Sequence, residues 1–348
     1  MLQERVEGKW IDSFVQVFEL CAVEAGDEVA ILSETQSRPV IRHLAELALQ
    51  RLSAKPFHVT VPSPQQTAVV PVRSTGASDA IQHNGAVIAA LGQSKLVIDC
   101  TVEGLLHAAE LPSILKAGAR VIMISNEHPE ALERLAPSQA LEDKCKTGIK
   151  MLRDAGKMTV SSAAGTDLSI ELTGAVAGGG WGFSKRPGTI THWPGGICLC
   201  FPANGSVNGR LVMAKGDVNL TFKRYLESTI TLHIENDYVT AIEGEGLDAE
   251  LMRSYFEAWG DKEAYAVSHV GWGMNPAARW DAMTMYDKRD FNGTELRAFA
   301  GNFLYSTGAN EVAKRHTLGH FDLPMRKCTV SLDGETVVLD GKLQGDLA

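Results

Sequence analysis

The 348-residue chain has little of what marks the more specialised protein classes. It has no Cys-x-x-Cys pair, and its six cysteines are scattered. That argues against a disulfide framework or a zinc ribbon and for free thiols in a reducing cytoplasm. Cys198 and Cys200 lie in the apolar stretch "GICLCFP" and read as buried strand residues rather than ligands. No apolar run approaches the length of a membrane span. The opening "MLQERVEGKW" has no charged segment followed by an apolar one, so no secretory signal is expected. No basic cluster interrupts a net charge of -9, which argues against a nucleic-acid surface. The glycine-rich "GAVAGGGWGFS" (174–184) lacks the Lys-Ser/Thr of a phosphate loop and reads as a flexible loop. No G-x-G-x-x-G follows the first predicted strand, which excludes a dinucleotide fingerprint.

What is present is a clear change of texture near the middle. Residues 28–33, 57–61, 95–100 and 120–125 are short apolar runs. They alternate with amphipathic stretches at 38–55, 85–94 and 107–118. Continuous apolar strands alternating with helices predict an open parallel sheet covered on both faces. A long helical stretch, 138–157, leads out of this region. Beyond it the pattern shifts to period two. Hairpins are predicted over 228–246, turning at Asn236-Asp237, and over 327–343, turning at Asp333-Gly334. One helix is predicted between them, at 247–260. The expected fold class is α/β, with an N-terminal α/β domain over 1–150. A C-terminal α+β domain with antiparallel sheet, carrying a metal site, is expected over 151–348.

Three segments concentrate glycine, tryptophan and histidine: "THWPGG" (191–196), "SHVGWGMNPAARW" (268–280) and "FAGNFLYSTGAN" (299–310). Such density is costly in backbone entropy and points to a shaped site. A fourth, "HTLGHFDLPMRKC" (316–328), contains His320-Phe321-Asp322. In extended backbone, residues i and i+2 share a face, so both side chains can reach one ion. Chance gives about one His-x-acid triplet in a chain of this composition. Three occur, so spacing alone does not settle the matter. His269, His320 and Asp322 together form a two-histidine, one-carboxylate set, which leaves positions open on a ferrous ion. His107, His192 and His316 compete for the same role.

These segments, with "LLH" (105–107) and "AGTD" (164–167), resemble the aminopeptidase T-like superfamily, metallopeptidases with an N-terminal α/β domain. More closely they resemble the family of 2,5-dihydroxypyridine 5,6-dioxygenases, ring-cleaving enzymes of nicotinic acid degradation. The departures from the peptidase pattern favour the second. Where those peptidases carry two glutamates, this chain has Gly196 and Ile197. Where they carry a further glutamate, it has His269. Loss of bridging carboxylates removes the charge that holds two dications together. The resemblance therefore implies one Fe(II), held by His269, His320 and Asp322, and O2-dependent opening of a small N-heterocyclic substrate to an N-formylmaleamate-type product. A divergent metallohydrolase is the alternative. His107 and His192 are the candidate proton-transfer residues, and Arg297, Ser306 and Thr307 the candidate substrate contacts. His316 falls outside the matched motif, and Asp167 reads as structural. The resemblance also implies a homo-oligomer, with no nucleic-acid or membrane partner.

Overall fold

The structure is a computed structural model that describes residues 5–65, 79–288 and 292–348. Four strands of its first half and one from later in the chain form a five-stranded parallel sheet. The strands run in the order Lys55–Val61, Glu28–Glu34, Leu96–Asp99, Arg120–Met123 and Ile190–His192. Both faces of the three central strands are buried, as the continuous apolar runs require. Val29, Ile31, Ile98 and Ile122 join one core with Phe14, Phe18 and Leu44 from the helices Gly8–Leu20 and Pro39–Arg51. Their neighbours Ala30, Leu32, Val97 and Val121 join the opposite core with Leu91 and Ile114. Period two thus divides one apolar strand between two cores. The helix expected over 107–118 is shorter, Leu111–Lys116. Pro112 suits only a first turn, which leaves His107 in the loop that precedes it.

The rest is antiparallel. An eight-stranded sheet includes Lys157–Ser162, Asp167–Glu171, Val207–Met213 and the two predicted hairpins. Those hairpins pair Ile230–Glu235 with Tyr238–Glu243 and Cys328–Leu332 with Glu335–Leu339. A five-stranded sheet runs Phe321–Met325, Phe303–Thr307, Val267–Gly273, Ile197–Phe201 and Val176–Gly180. The two antiparallel sheets share one core. It holds Met158, Val160, Leu168 and Leu211 from the larger sheet, and Cys198, Cys200, Trp272, Phe303, Tyr305 and Phe321 from the smaller. The helices Gln139–Asp154 and Leu247–Trp259 close it, through Cys145, Ile149, Met252 and Phe256.

Two features differ from expectation. Residues 174–184 are not simply a loop: Val176–Gly180 is the edge strand of the smaller sheet. Its glycines permit a close approach, since a Cβ on Gly179 would lie 2.2 Å from the Ile197 carbonyl oxygen. The strand Ile190–His192 also crosses back to extend the parallel sheet beside Arg120–Met123. Trp193, directly after it, is buried in the core of that first half, against Phe14, with its indole N–H donating to the Leu135 carbonyl at 3.0 Å.

Candidate metal centre

The smaller antiparallel sheet has two working faces. Trp272, Phe303, Tyr305, Phe321 and Leu323 point into the core. Alternation then sends Ile197, Leu199, Leu304, Ser306 and Asp322 to the opposite face. Ile197, Leu199, Leu304 and Asp322 line a cavity there of about 630 Å³, counting the part open to solvent. Its other wall comes from the carboxyl end of the parallel sheet: Glu103, Leu106, His107, Met123, Ser125 and His192. Open α/β sheets place ligands at this end.

His269 reaches the cavity through a break in the strand pairing. Val267 pairs with Thr307 and Val270 with Tyr305, so Ser268 and His269 together stand opposite Ser306. This extra residue is a β-bulge, a device that re-aims a side chain. His320 and Asp322 sit at the head of Phe321–Met325, on one side of the chain as i and i+2. The segment is pinned from behind. The Tyr255 hydroxyl donates to the His320 carbonyl at 3.1 Å, and the Phe321 N–H donates to the Thr307 hydroxyl at 3.3 Å. His107 arrives on a loop held by two buried carboxylates. Asp99 accepts from the Thr101 N–H and hydroxyl and from the Leu105 N–H. Glu34 accepts from the Val102 N–H at 2.6 Å.

The result is a tight cluster. Ligand atoms of His107, His269 and His320 all lie within 4.8 Å of one another. Asp322 joins them, with its Oδ2 3.3 Å from His320 Nε2 and its Oδ1 3.8 Å from His269 Nε2. Burial, reinforced by the neighbouring His320 and His269, pushes the His107 imidazole down to about 3. Burial likewise takes His269 down to about 4, against the pull of Asp322. Both rings are therefore neutral at pH 7 and keep a lone pair to donate. Burial alone would raise Asp322, but Arg297 foremost, with the histidines, holds it well below the usual carboxylate range. His107 Nε2 is buried without a hydrogen-bond partner, a costly state unless another group binds there. Neutral imidazoles beside a fixed carboxylate, with a buried donor atom unspent, fit one divalent cation.

Arg297 and Ser306, expected as substrate contacts, are both engaged with Asp322. The Arg297 Nε donates to Oδ2 at 2.5 Å and the Ser306 hydroxyl donates to Oδ1. Arg297 also borders the cavity; Thr307 does not, and its hydroxyl serves the Phe321 amide. His192 borders the cavity, with Nδ1 2.6 Å from the Pro194 carbonyl. Its Nε2 lies over Gly180, where a Cβ would come within 2.7 Å. His316 is exposed and away from the cavity, and Asp167 is an exposed strand residue. Composition and spacing gave no sign of Ser125, Asn292 and Thr294, which also line the cavity. Ser125 stands out only in the structure, as a non-glycine residue at φ 49°, the kind of backbone outlier that clusters at functional positions.

The missing peptidase carboxylate has a steric counterpart. Gly196 has φ 109°, and a Cβ there would lie 2.6 Å from Asn275 Cβ and 2.9 Å from Asn275 N. A glutamate cannot stand at 196 without moving the Asn275 backbone, while Ile197 presents an apolar wall.

Comparison with known proteins gives the family. The family model for 2,5-dihydroxypyridine 5,6-dioxygenase (NicX) matches residues 9–345. A curated 2,5-dihydroxypyridine 5,6-dioxygenase from Pseudomonas putida is 38% identical over 332 residues, covering 94% of each chain. A solved structure of 2,5-dihydroxypyridine dioxygenase from Pseudomonas putida KT2440 superposes with a TM-score of 0.92 at 35% identity, over 98% of this chain and 99% of that one. Wild-type AmpT from Thermus thermophilus shares the fold, with a TM-score of 0.65 at 15% identity over 97% of this chain and 99% of its own. The chain belongs to the 2,5-dihydroxypyridine 5,6-dioxygenase family, and is an enzyme of that dioxygenase type.

Proposed function

We propose that this enzyme uses O2 to cleave 2,5-dihydroxypyridine, or a close N-heterocyclic analogue, between ring carbons 5 and 6, with one Fe(II) held by His269, His320 and Asp322. The observation that carries the reading is the meeting of two imidazoles, His269 and His320, and the Asp322 carboxylate at a single buried point of the cavity. Iron, when bound, would supply open coordination positions and the redox chemistry that O2 requires. The protein's own part is to bind the ring, exclude water and move a proton. Ile197, Leu199 and Leu304 offer a flat apolar wall to an aromatic ring. His107 faces the same cluster and is the candidate to take the proton of a ring hydroxyl as the substrate binds. His192 is the second candidate for that task. Arg297 and Ser306 keep Asp322 ionised and oriented.

One observation favours a second ligand set. The donor atoms of His107, His269 and His320 are mutually within 4.8 Å, so His107 could be a ligand in its own right, with the proton passing to His192. Homo-oligomerisation and a cytoplasmic location accompany the main reading. All six cysteines are free and buried, and no helix among the described residues is long and apolar enough to cross a membrane.

Ring opening by this route places both atoms of one O2 in the product, an N-formylmaleamate-type open chain. The test is anaerobic incubation, then turnover under labelled O2 with mass spectrometry of the new carboxylate, whose oxygens do not wash out. Turnover without O2, or an unlabelled carboxylate, would overturn the proposal and favour a hydrolase.

A further inference from the structure

The helix that carries Arg297, Thr294–Ala298, has only five residues. It follows Gly293 at φ 99° and is too short to hold itself in place. Its anchors come from the other half of the molecule. Glu127, in the loop after Arg120–Met123, accepts the Thr294 N–H at 2.8 Å. Arg134, which ends the helix Pro129–Arg134, grips Glu295 with two parallel bonds of 2.6 and 2.8 Å. Glu295 also accepts the Arg279 N–H at 2.8 Å. Two residues further on, Arg297 donates to Asp322.

We propose that Glu127 and the Arg134–Glu295 pair are positioning residues for Arg297, and through it for the Asp322 carboxylate. They form a clasp that ties the first half of the chain to one member of the candidate metal set. The inference rests on the reading of Asp322 as a metal-holding carboxylate.

Three features argue for this over a plain structural contact. First, the fork of Arg134 fixes direction as well as distance, because a bidentate guanidinium–carboxylate pair is planar. A helix gripped at 294 and 295 cannot rotate, so Arg297 one turn on keeps a single bearing. Second, both acids are fully buried. Buried carboxylates are costly, and a neutral amide would cap Thr294 equally well. Third, Glu127 Oε2 is buried without a hydrogen-bond partner. Beyond the cap, the Glu127 carboxyl interacts electrostatically with the Arg297 cation. Burial pushes the Glu127 carboxyl up, while Thr294 and Arg297 work to keep it ionised.

The experiment measures Fe(II) binding to the metal-free full chain under anaerobic conditions, beside the thermal midpoint of each variant. Arg297→Lys, which touches Asp322 directly, should weaken Fe(II) about 10- to 100-fold, the usual effect of an outer-shell partner. Glu127→Gln and Arg134→Lys, one contact further out, should each weaken it roughly 3- to 10-fold. The deciding measurement is the double variant. In an Arg297→Lys background, Glu127→Gln should add less than about 2-fold, because it acts through the residue already changed. Full Fe(II) affinity in both single variants, or effects that multiply in the double, would overturn the clasp. If Arg134→Lys lowers the yield of folded protein, the near-isosteric Glu127→Gln decides alone. Asp322→Asn separates the two levels. If it leaves Fe(II) affinity intact, the ligand reading itself fails; if it abolishes binding while the clasp variants bind normally, only this inference fails.

Discussion

The two sheets that meet at the cavity deliver chemistry in different ways. The parallel sheet works through loops beyond its strand ends. His107 and Glu103 ride on one such loop, Ser125 on the next. The antiparallel sheet works through its strand faces and one bulge. Asp322 and the cavity wall of Ile197, Leu199 and Leu304 are ladder residues, and His269 stands in the bulge between them. Asp322 is held in register by pairing with Ser306 on the neighbouring strand, which suits a ligand that must hold one geometry. Loop positions are adjustable, which suits contacts to a ring. The division suggests that the strand wall holds the metal and backs the ring, while the loop wall handles protons and polar contacts.

The sharpest way to break that division is to remove ligands from the strand wall. His269→Ala and Asp322→Ala should each reduce iron content to below about a tenth of wild type, a larger loss than for outer-shell partners. The fold should persist, since the core shared by the two antiparallel sheets lies on the other face of the strands. Elemental analysis beside circular dichroism checks both. Full iron and full turnover in His269→Ala would show that the strand wall is not the metal wall.

His107→Ala tests the loop wall at its most reactive point. Iron should stay bound, and turnover should fall by about 10²–10⁴-fold, as for loss of a proton-transfer residue. If iron leaves instead, His107 belongs with the ligands and the contrast between the walls blurs.

A gentler probe is Ser125. Its side chain borders the cavity across from the strand wall. Ser125→Ala should raise KM by about 2- to 10-fold with kcat little changed, the effect of one lost hydrogen bond. Ser125→Gly removes the same hydroxyl while accepting the positive φ, so the two variants should agree. A rise in KM for the alanine variant alone would point to backbone strain rather than ring contact.

The same contrast explains what could be read before the structure. Continuous apolar strands gave the parallel sheet, and clear turn signals gave both hairpins, because local patterns encode them. His320 and Asp322 were legible as a pair, because extended backbone aligns i and i+2. Ile190–His192 was not, since three residues carry no periodicity. Nor was Val176–Gly180, whose glycines lack the side chains that mark a strand. The bulge at Ser268–His269 depends on pairing with a strand far along the chain, and no local signal records it. Arg297 and Ser306 were picked out as site residues, but their contact with Asp322 was not foreseen. Which group a cation or hydroxyl meets is set by tertiary geometry, which no local pattern records.

The short strand Ile190–His192 also affects how the protein is made. Arg120–Met123 emerges from the ribosome well before its neighbour does. Until residue 192 follows, the parallel sheet carries an unpaired edge of backbone donors and acceptors, a surface that invites pairing with other chains. Trp193, which fills the core of that half beside Phe14, is missing for the same interval. A first half folded before residue 192 is made would carry an open seam, and the segment that closes it is the one that leads into Gly196 and the cavity wall. The seam can be sealed once residue 192 is made, whereas the pocket waits for His269, His320 and Asp322, so sealing precedes assembly of the pocket.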